Sequence, residues 1–137
     1  MITLILGKKG SGKTKRLVAM CNEAVASSNG NVVFIEKDNT VTYDVSPKAR
    51  LAVAEEYGIN GYDTFYGFIA GMCASNYDIT DIFVDSTLKI GGDKEGLLAF
   101  VEKLSELCKK SEIRIVMSVS ASADEIPAKV LELAQPI

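Results

Sequence analysis

Apolar and polar residues come in blocks along this chain, and the length and period of each block indicate the element it builds. Ile2-Thr3-Leu4-Ile5-Leu6 is an apolar run too brief for a helix and predicts a buried strand. Over residues 13–27, Leu17, Cys21, Ala24 and Val25 recur at the spacing of one helix face, and Ser27-Ser28-Asn29-Gly30 stops the pattern. Residues 31–35 form a second strand-length run that ends in the polar cluster Glu36-Lys37-Asp38-Asn39. Residues 40–45 alternate and predict a short further strand closed by Ser46 and Pro47. Residues 48–56 carry a weak helical pattern, and 57–61, with Gly58 and Gly61, read as loop. Asp63 is the expected N-cap of a helix over 64–75, where Phe65, Phe68, Ile69, Met72 and Cys73 keep helical spacing. Residues 79–85 give a third strand, apolar and closed by a carboxylate. Gly91, Gly92 and Asp93 then lead into an amphipathic helix over 94–110, with Leu97, Val101, Leu104 and Cys108 on one stripe. Residues 113–119 make a fourth strand and 124–134 a closing helix with Pro127 in its first turn. Strands alternating with helices predict an α/β fold, a three-layer, doubly wound and mainly parallel sheet of four to five strands. Ligands in such a fold bind beyond the carboxyl ends of the strands.

Length and composition narrow this picture. At 137 residues one domain, 1–137, is expected, and 24% charged with 47% hydrophobic residues is the balance of a folded chain. Lys8 and Lys9 interrupt the apolar start too soon for a signal peptide, and no stretch of about 18 apolar residues is available to span a membrane, so a cytoplasmic location is expected. A net charge of −3 gives no broad basic footprint for nucleic acid. Cys21, Cys73 and Cys108 lie apart inside apolar helical patterns, and histidine is absent; buried reduced thiols are expected rather than a metal or redox centre.

One segment carries chemistry. Gly7-Lys8-Lys9-Gly10-Ser11-Gly12-Lys13-Thr14 fills every fixed position of G-x-x-x-x-G-K-[ST] and joins the first strand to the first helix. The glycines let successive backbone N–H groups turn inward around a phosphate. Lys13 supplies charge to the β- and γ-phosphates, Thr14 a hydroxyl to Mg²⁺, and the helix start its positive dipole end. Asp85 closes the apolar run Ile82-Phe83-Val84, where a carboxylate can hold the Mg²⁺ shell beside Thr14; a helix cap or turn residue is the alternative.

With these two motifs the whole chain resembles the P-loop NTPase superfamily. The strand and helix placed between them resemble the additional-strand, RecA-type branch. That resemblance implies a nucleoside triphosphate with Mg²⁺ as cofactor. In many members of the branch a Glu follows the aspartate and activates the attacking water, but here the next residue is Ser86. Some relatives carry the acid at the end of the neighbouring strand, which makes Glu36 the candidate catalytic base beside Lys13; a solvated turn residue is the competing account. Ser118, Ser120 and Ser122 stand where related folds place a polar γ-phosphate sensor. Arg16, Arg50 and Arg114 match no finger position, so an arginine finger is expected from a protein partner or a second copy. Tyr62 and Tyr66 share a helix face that either packs in the core or stacks on a base or a partner. The missing fifth strand of the branch would leave the first strand at an edge, to be covered by residues 40–45 or a partner, unless the strand order differs.

These residues predict Mg²⁺-dependent ATP binding with slow intrinsic hydrolysis; the lack of an N-K-x-D motif tilts the expectation from GTP toward ATP. The alternative is a nucleotide-responsive binding module that regulates a partner with little catalysis. A small-molecule kinase ranks third, because no Arg-rich lid is present.

Overall fold

In the computed structural model, which describes residues 1–39 and 44–137, the apolar runs become strands and the 3.6-period segments become helices. β1 (Ile2–Leu6) leads into α1 (Lys13–Ser27), β2 (Asn31–Glu36), β3 (Arg50–Val53) and a 3₁₀ turn (Ala54–Tyr57). Then come α2 (Tyr62–Ser75), β4 (Ile79–Val84), α3 (Thr87–Gly91), α4 (Leu97–Ser111) and β5 (Arg114–Val119). A second 3₁₀ turn (Ala123–Glu125), α5 (Val130–Leu133) and β6 (Gln135–Pro136) complete the described elements.

The six strands make one sheet in the order β3-β2-β4-β5-β1-β6, every neighbouring pair parallel. Alternation along each strand sorts the core into two layers. Ile5, Phe34, Phe83 and Val116 face α1, where Leu17, Val18, Cys21 and Ala24 meet them together with Val45 and Ala49. Leu4, Ile35, Val84 and Met117 face the other way, onto Phe65, Ile69, Phe100 and Leu104 of α2 and α4. Burying each Phe or Leu contributes about 1.5–3 kcal/mol, so β4 and β5, apolar on both faces, form a stiff mount for whatever their carboxyl ends carry. The three-layer α/β architecture is as expected, with six strands among the described residues where four to five were expected. The three cysteines are buried free thiols, and no helix of the described residues is long and apolar enough to cross a membrane.

Four local expectations are corrected. Residues 50–53 are a strand, not helix: Leu51 and Ala52 pair with Phe34 and Ile35, and sheet pairing overrides the weak helical preference. The closing helix is broken, because Ile126, which precedes Pro127, is held extended at φ −112°, ψ 157°. Only Val130–Leu133 is helical there, and Gln135–Pro136 pairs with Thr3 and Leu4 as an edge strand. β1 is therefore covered on its outer side by β6. Asp63 lies inside the first turn of α2 rather than at its cap, which is Gly61. α4 begins at Leu97, after Asp93 Oδ1 has accepted the N–H of Gly96 at 2.7 Å. Of the strand expected over 40–45, only Asp44 and Val45 fall within the described residues, and they lie in a turn.

Candidate functional site

β1 runs out at Leu6, and the N–H of Gly7 donates to the Ala121 carbonyl at 3.1 Å, tying the start of the loop to the segment just beyond β5. The chain folds back where the N–H of Ser11 donates to the Lys8 carbonyl at 3.1 Å. Gly10 and Gly12 hold φ of 85° and 88°, left-handed values that glycine adopts without the Cβ penalty. Gly12 is also the N-cap of α1 and offers no side-chain acceptor, and the first turn holds no acidic residue. The leading N–H groups and the helix dipole of this 15-residue helix are thus left for an anion.

Lys13 is only 8% exposed, and its ammonium donates to the Lys8 carbonyl at 2.8 Å across the loop. Burial pushes its pKa below the ordinary lysine value, and the nearby Asp85 carboxylate opposes that shift. Thr14 Oγ1 donates to Asp85 at 3.2 Å from Oδ1 and 3.1 Å from Oδ2. Asp85 is itself 6% exposed: its N–H continues the ladder to the Ile35 carbonyl at 2.8 Å, and Ser118 Oγ donates to Oδ1 at 2.7 Å. The same Ser118 oxygen accepts the N–H of Ser86 at 2.9 Å. Ser86 sits at φ 60°, ψ 45°, an uncommon backbone for a residue with a side chain, and this bend turns the chain directly into α3. Because β5 lies between β1 and β4, Ser118 stands beneath the bridge from Thr14 to Asp85.

These groups open on a cleft of about 1030 Å³ at the carboxyl edge of the sheet. Lys9, Gly10, Gly12, Lys13 and Thr14 form one wall, Asp85, Ser118 and Ser120 the base, and Val18 and Asn22 the flank along α1. Lys37, Asp38, Asp44 and Lys89 enclose the remainder. Asn22 fixes that flank: Nδ2 donates to the Asp44 carbonyl at 3.0 Å, and Oδ1 accepts the Ser46 N–H at 2.8 Å.

The other residues singled out in the sequence fall at different places around the sheet. Glu36 ends β2 fully buried, at 1% exposure, and the cleft wall at that strand end is made by Lys37 and Asp38. Counting on from the pairs Phe34 with Phe83 and Ile35 with Val84, Glu36 comes level with Asp85 on the α1 face. Ser122 does not reach the cleft; it closes a capping box with Glu125. Tyr62 and Tyr66 do not line the cleft. Tyr62 packs on Phe100 at 5.0 Å between ring centroids, with its hydroxyl bonded to the Asp93 carbonyl, and Tyr66 lies under Lys103. Arg114 pairs with Asp81 at 2.7 Å, at the opposite sheet edge from Asp85, and no arginine is among the described residues lining the cleft. Lys37 and Lys89 went unrecognised in the sequence because no motif marks them; only the fold brings them to the loop.

The oxygen donors present suit a hard divalent cation. One hydroxyl and one carboxylate, Thr14 and Asp85, match the way Mg²⁺ is held by one or two protein oxygens while substrate phosphates and water complete its shell. No three His, Cys, Asp or Glu side chains gather as a metal cage among the described residues.

The fold and site together define a three-layer α/β protein with a cationic, glycine-rich cleft at the carboxyl edge of a parallel sheet. The chain matches no protein-family model, and no curated protein matches it.

Proposed function

We propose that this chain is a P-loop nucleotide-binding protein of the additional-strand type that binds Mg²⁺-ATP and hydrolyses it slowly on its own. The observation that carries this reading is the contact of Thr14 Oγ1 with both Asp85 carboxylate oxygens beside the buried ammonium of Lys13. Residues some seventy positions apart in sequence, singled out for one metal–phosphate chemistry, meet at hydrogen-bond distance. The strand order supports the same reading, since β5 separates the loop-bearing β1 from β4 and β6 flanks β1 on the other side.

In this account the backbone N–H groups of residues 7–14 and Lys13 bind the β- and γ-phosphates. Thr14 and Asp85 hold Mg²⁺, which when bound neutralises charge on the phosphate oxygens. Ser118 keeps the Asp85 carboxylate in place through its 2.7 Å bond. Glu36, level with Asp85, is the internal candidate for orienting water.

The alternative, a nucleotide-responsive module with little catalysis, draws support from Ser86 at the position after Asp85 and from the full burial of Glu36 behind Lys37 and Asp38. The two readings share one test of binding. Lys13→Ala is expected to weaken Mg²⁺-ATP by about tenfold to a hundredfold, the worth of a charge-assisted phosphate contact. Titration calorimetry on both proteins measures this; equal affinities, or no binding by the parent, overturn the proposal.

A further inference from the structure

The cleft contains a cation that the phosphate-loop reading does not use. Lys89 lies on α3, four residues beyond Asp85, and lines the same cleft as Lys13, Thr14 and Asp85. Its backbone is well anchored. The N–H groups of Lys89 and Ile90 both donate to the Ser86 carbonyl, at 3.0 and 3.1 Å, and the Ile90 carbonyl accepts the N–H of Gly61 at 2.8 Å. On either side Thr87 is 0% and Ile90 1% exposed, so two buried residues fix the turn from which the exposed Lys89 side chain projects. The other cations are accounted for: Lys9, Lys13 and Lys15 belong to the loop and the first turn of α1, and Lys37 is paired with Glu55 at 3.0 Å. Among the described residues no carboxylate lies within ion-pair distance of Lys89.

A lysine with no carboxylate partner among the described residues, mounted on the wall that begins at the metal-holding aspartate, is placed for an anion, and no arginine is among the described residues lining the cleft. We propose that Lys89 contacts the terminal phosphate of the bound nucleotide from outside the loop and makes the site distinguish a triphosphate from a diphosphate. The inference rests on the phosphate-loop reading and specifies it further. The backbone N–H groups of the loop serve both nucleotides, whereas Lys89 serves only the one that carries the extra phosphate, so its contribution is differential by construction. α3 ends at Gly91, the residue against which the Tyr62 ring is seated, two positions beyond Lys89.

The test compares Mg²⁺-ADP with the non-hydrolysable β,γ-imido analogue of Mg²⁺-ATP, by titration calorimetry, on the parent, Lys89→Met, Lys89→Arg and Lys13→Ala. Lys89→Met is expected to weaken the triphosphate analogue by about tenfold or more, the scale of one charge-assisted contact, and to leave ADP within about twofold. Lys89→Arg is expected to keep most of the discrimination, and Lys13→Ala to weaken both ligands. A Lys89→Met protein that binds both ligands as the parent does, or loses both in equal measure, overturns the inference while the phosphate-loop reading stands. A parent that binds neither ligand refutes that reading and this inference with it. Lys89 is exposed, so its variants are expected to unfold at the parent's temperature, and a thermal scan checks that each comparison is made on folded protein.

Discussion

Asp85 holds two hydroxyls at once, and this makes its charge separable from its shape. Asparagine at this position still accepts from Thr14 and Ser118 through its amide oxygen, but lacks the net charge that draws a divalent cation. Asp85→Asn is therefore expected to unfold within a few degrees of the parent, on the order of what about 1 kcal/mol shifts. The difference in its ATP affinity between Mg²⁺ and EDTA should shrink. An unchanged metal dependence in that variant would assign Asp85 a packing role. Glu36 gives the matching test of catalysis: Glu36→Gln should slow single-turnover hydrolysis by about 10²-fold while ATP affinity stays within a few-fold. An unchanged rate favours the binding module. What the sequence disclosed at this scale is what chemistry demands of neighbouring residues, the loop from Gly7 to Thr14. It did not disclose Ser118 as the support of Asp85, because that partnership spans 33 positions and is created only by strand pairing.

Around α3 and α4 the fold is set by one aromatic ring. A Cβ built on Gly91 or on Gly96 would collide with the ring of Tyr62, which Phe100 and the Asp93 carbonyl hold in place. Gly91→Ala should thus destabilise the protein by about 1–3 kcal/mol, the usual cost of overpacking. Gly71, exposed in the interior of α2 with nothing near its would-be Cβ, should give the opposite result: Gly71→Ala stabilises by about 0.5–1 kcal/mol through helix propensity. Chemical denaturation of the two variants checks both signs. Nearby, Lys94 pairs with Glu125 at 2.8 Å and the Ser122 N–H and hydroxyl also reach Glu125, which holds its carboxyl down at about 2. The folded pKa is depressed, so this tie is fully present above the unfolded value of about 4.5 and is lost as pH falls toward 2. In Glu125→Gln the unfolding temperature should fall less steeply than the parent's across that window. The long periodic helices and apolar strands were legible in the sequence because each declares its own burial. β3 was not, since four residues with an alanine-rich neighbourhood become a strand only beside β2, and α3 was too short to show a period.

At the scale of the whole molecule, the α/β architecture followed from alternation, whereas the six-strand count depended on two short edge strands, β3 and β6, that no local pattern announces. The parallel sheet also sets how far apart its partners lie. β1 pairs with β5, Ile2 opposite Ile115, and with β6, Thr3 opposite Gln135. Synthesis proceeds from the amino end, so β1 and the loop that follows it are made well before β5 and β6, the strands that β1 pairs with. Closing so long a loop is slow, and its entropy must be met before any pairing repays it. The cleft is assembled late: Asp85 arrives with β4, Ser118 with β5, and only then do they face Thr14. On the proposed reading, nucleotide cannot guide the early collapse of this chain and acts only on its final docking step, once β4 and β5 have brought Asp85 and Ser118 to Thr14.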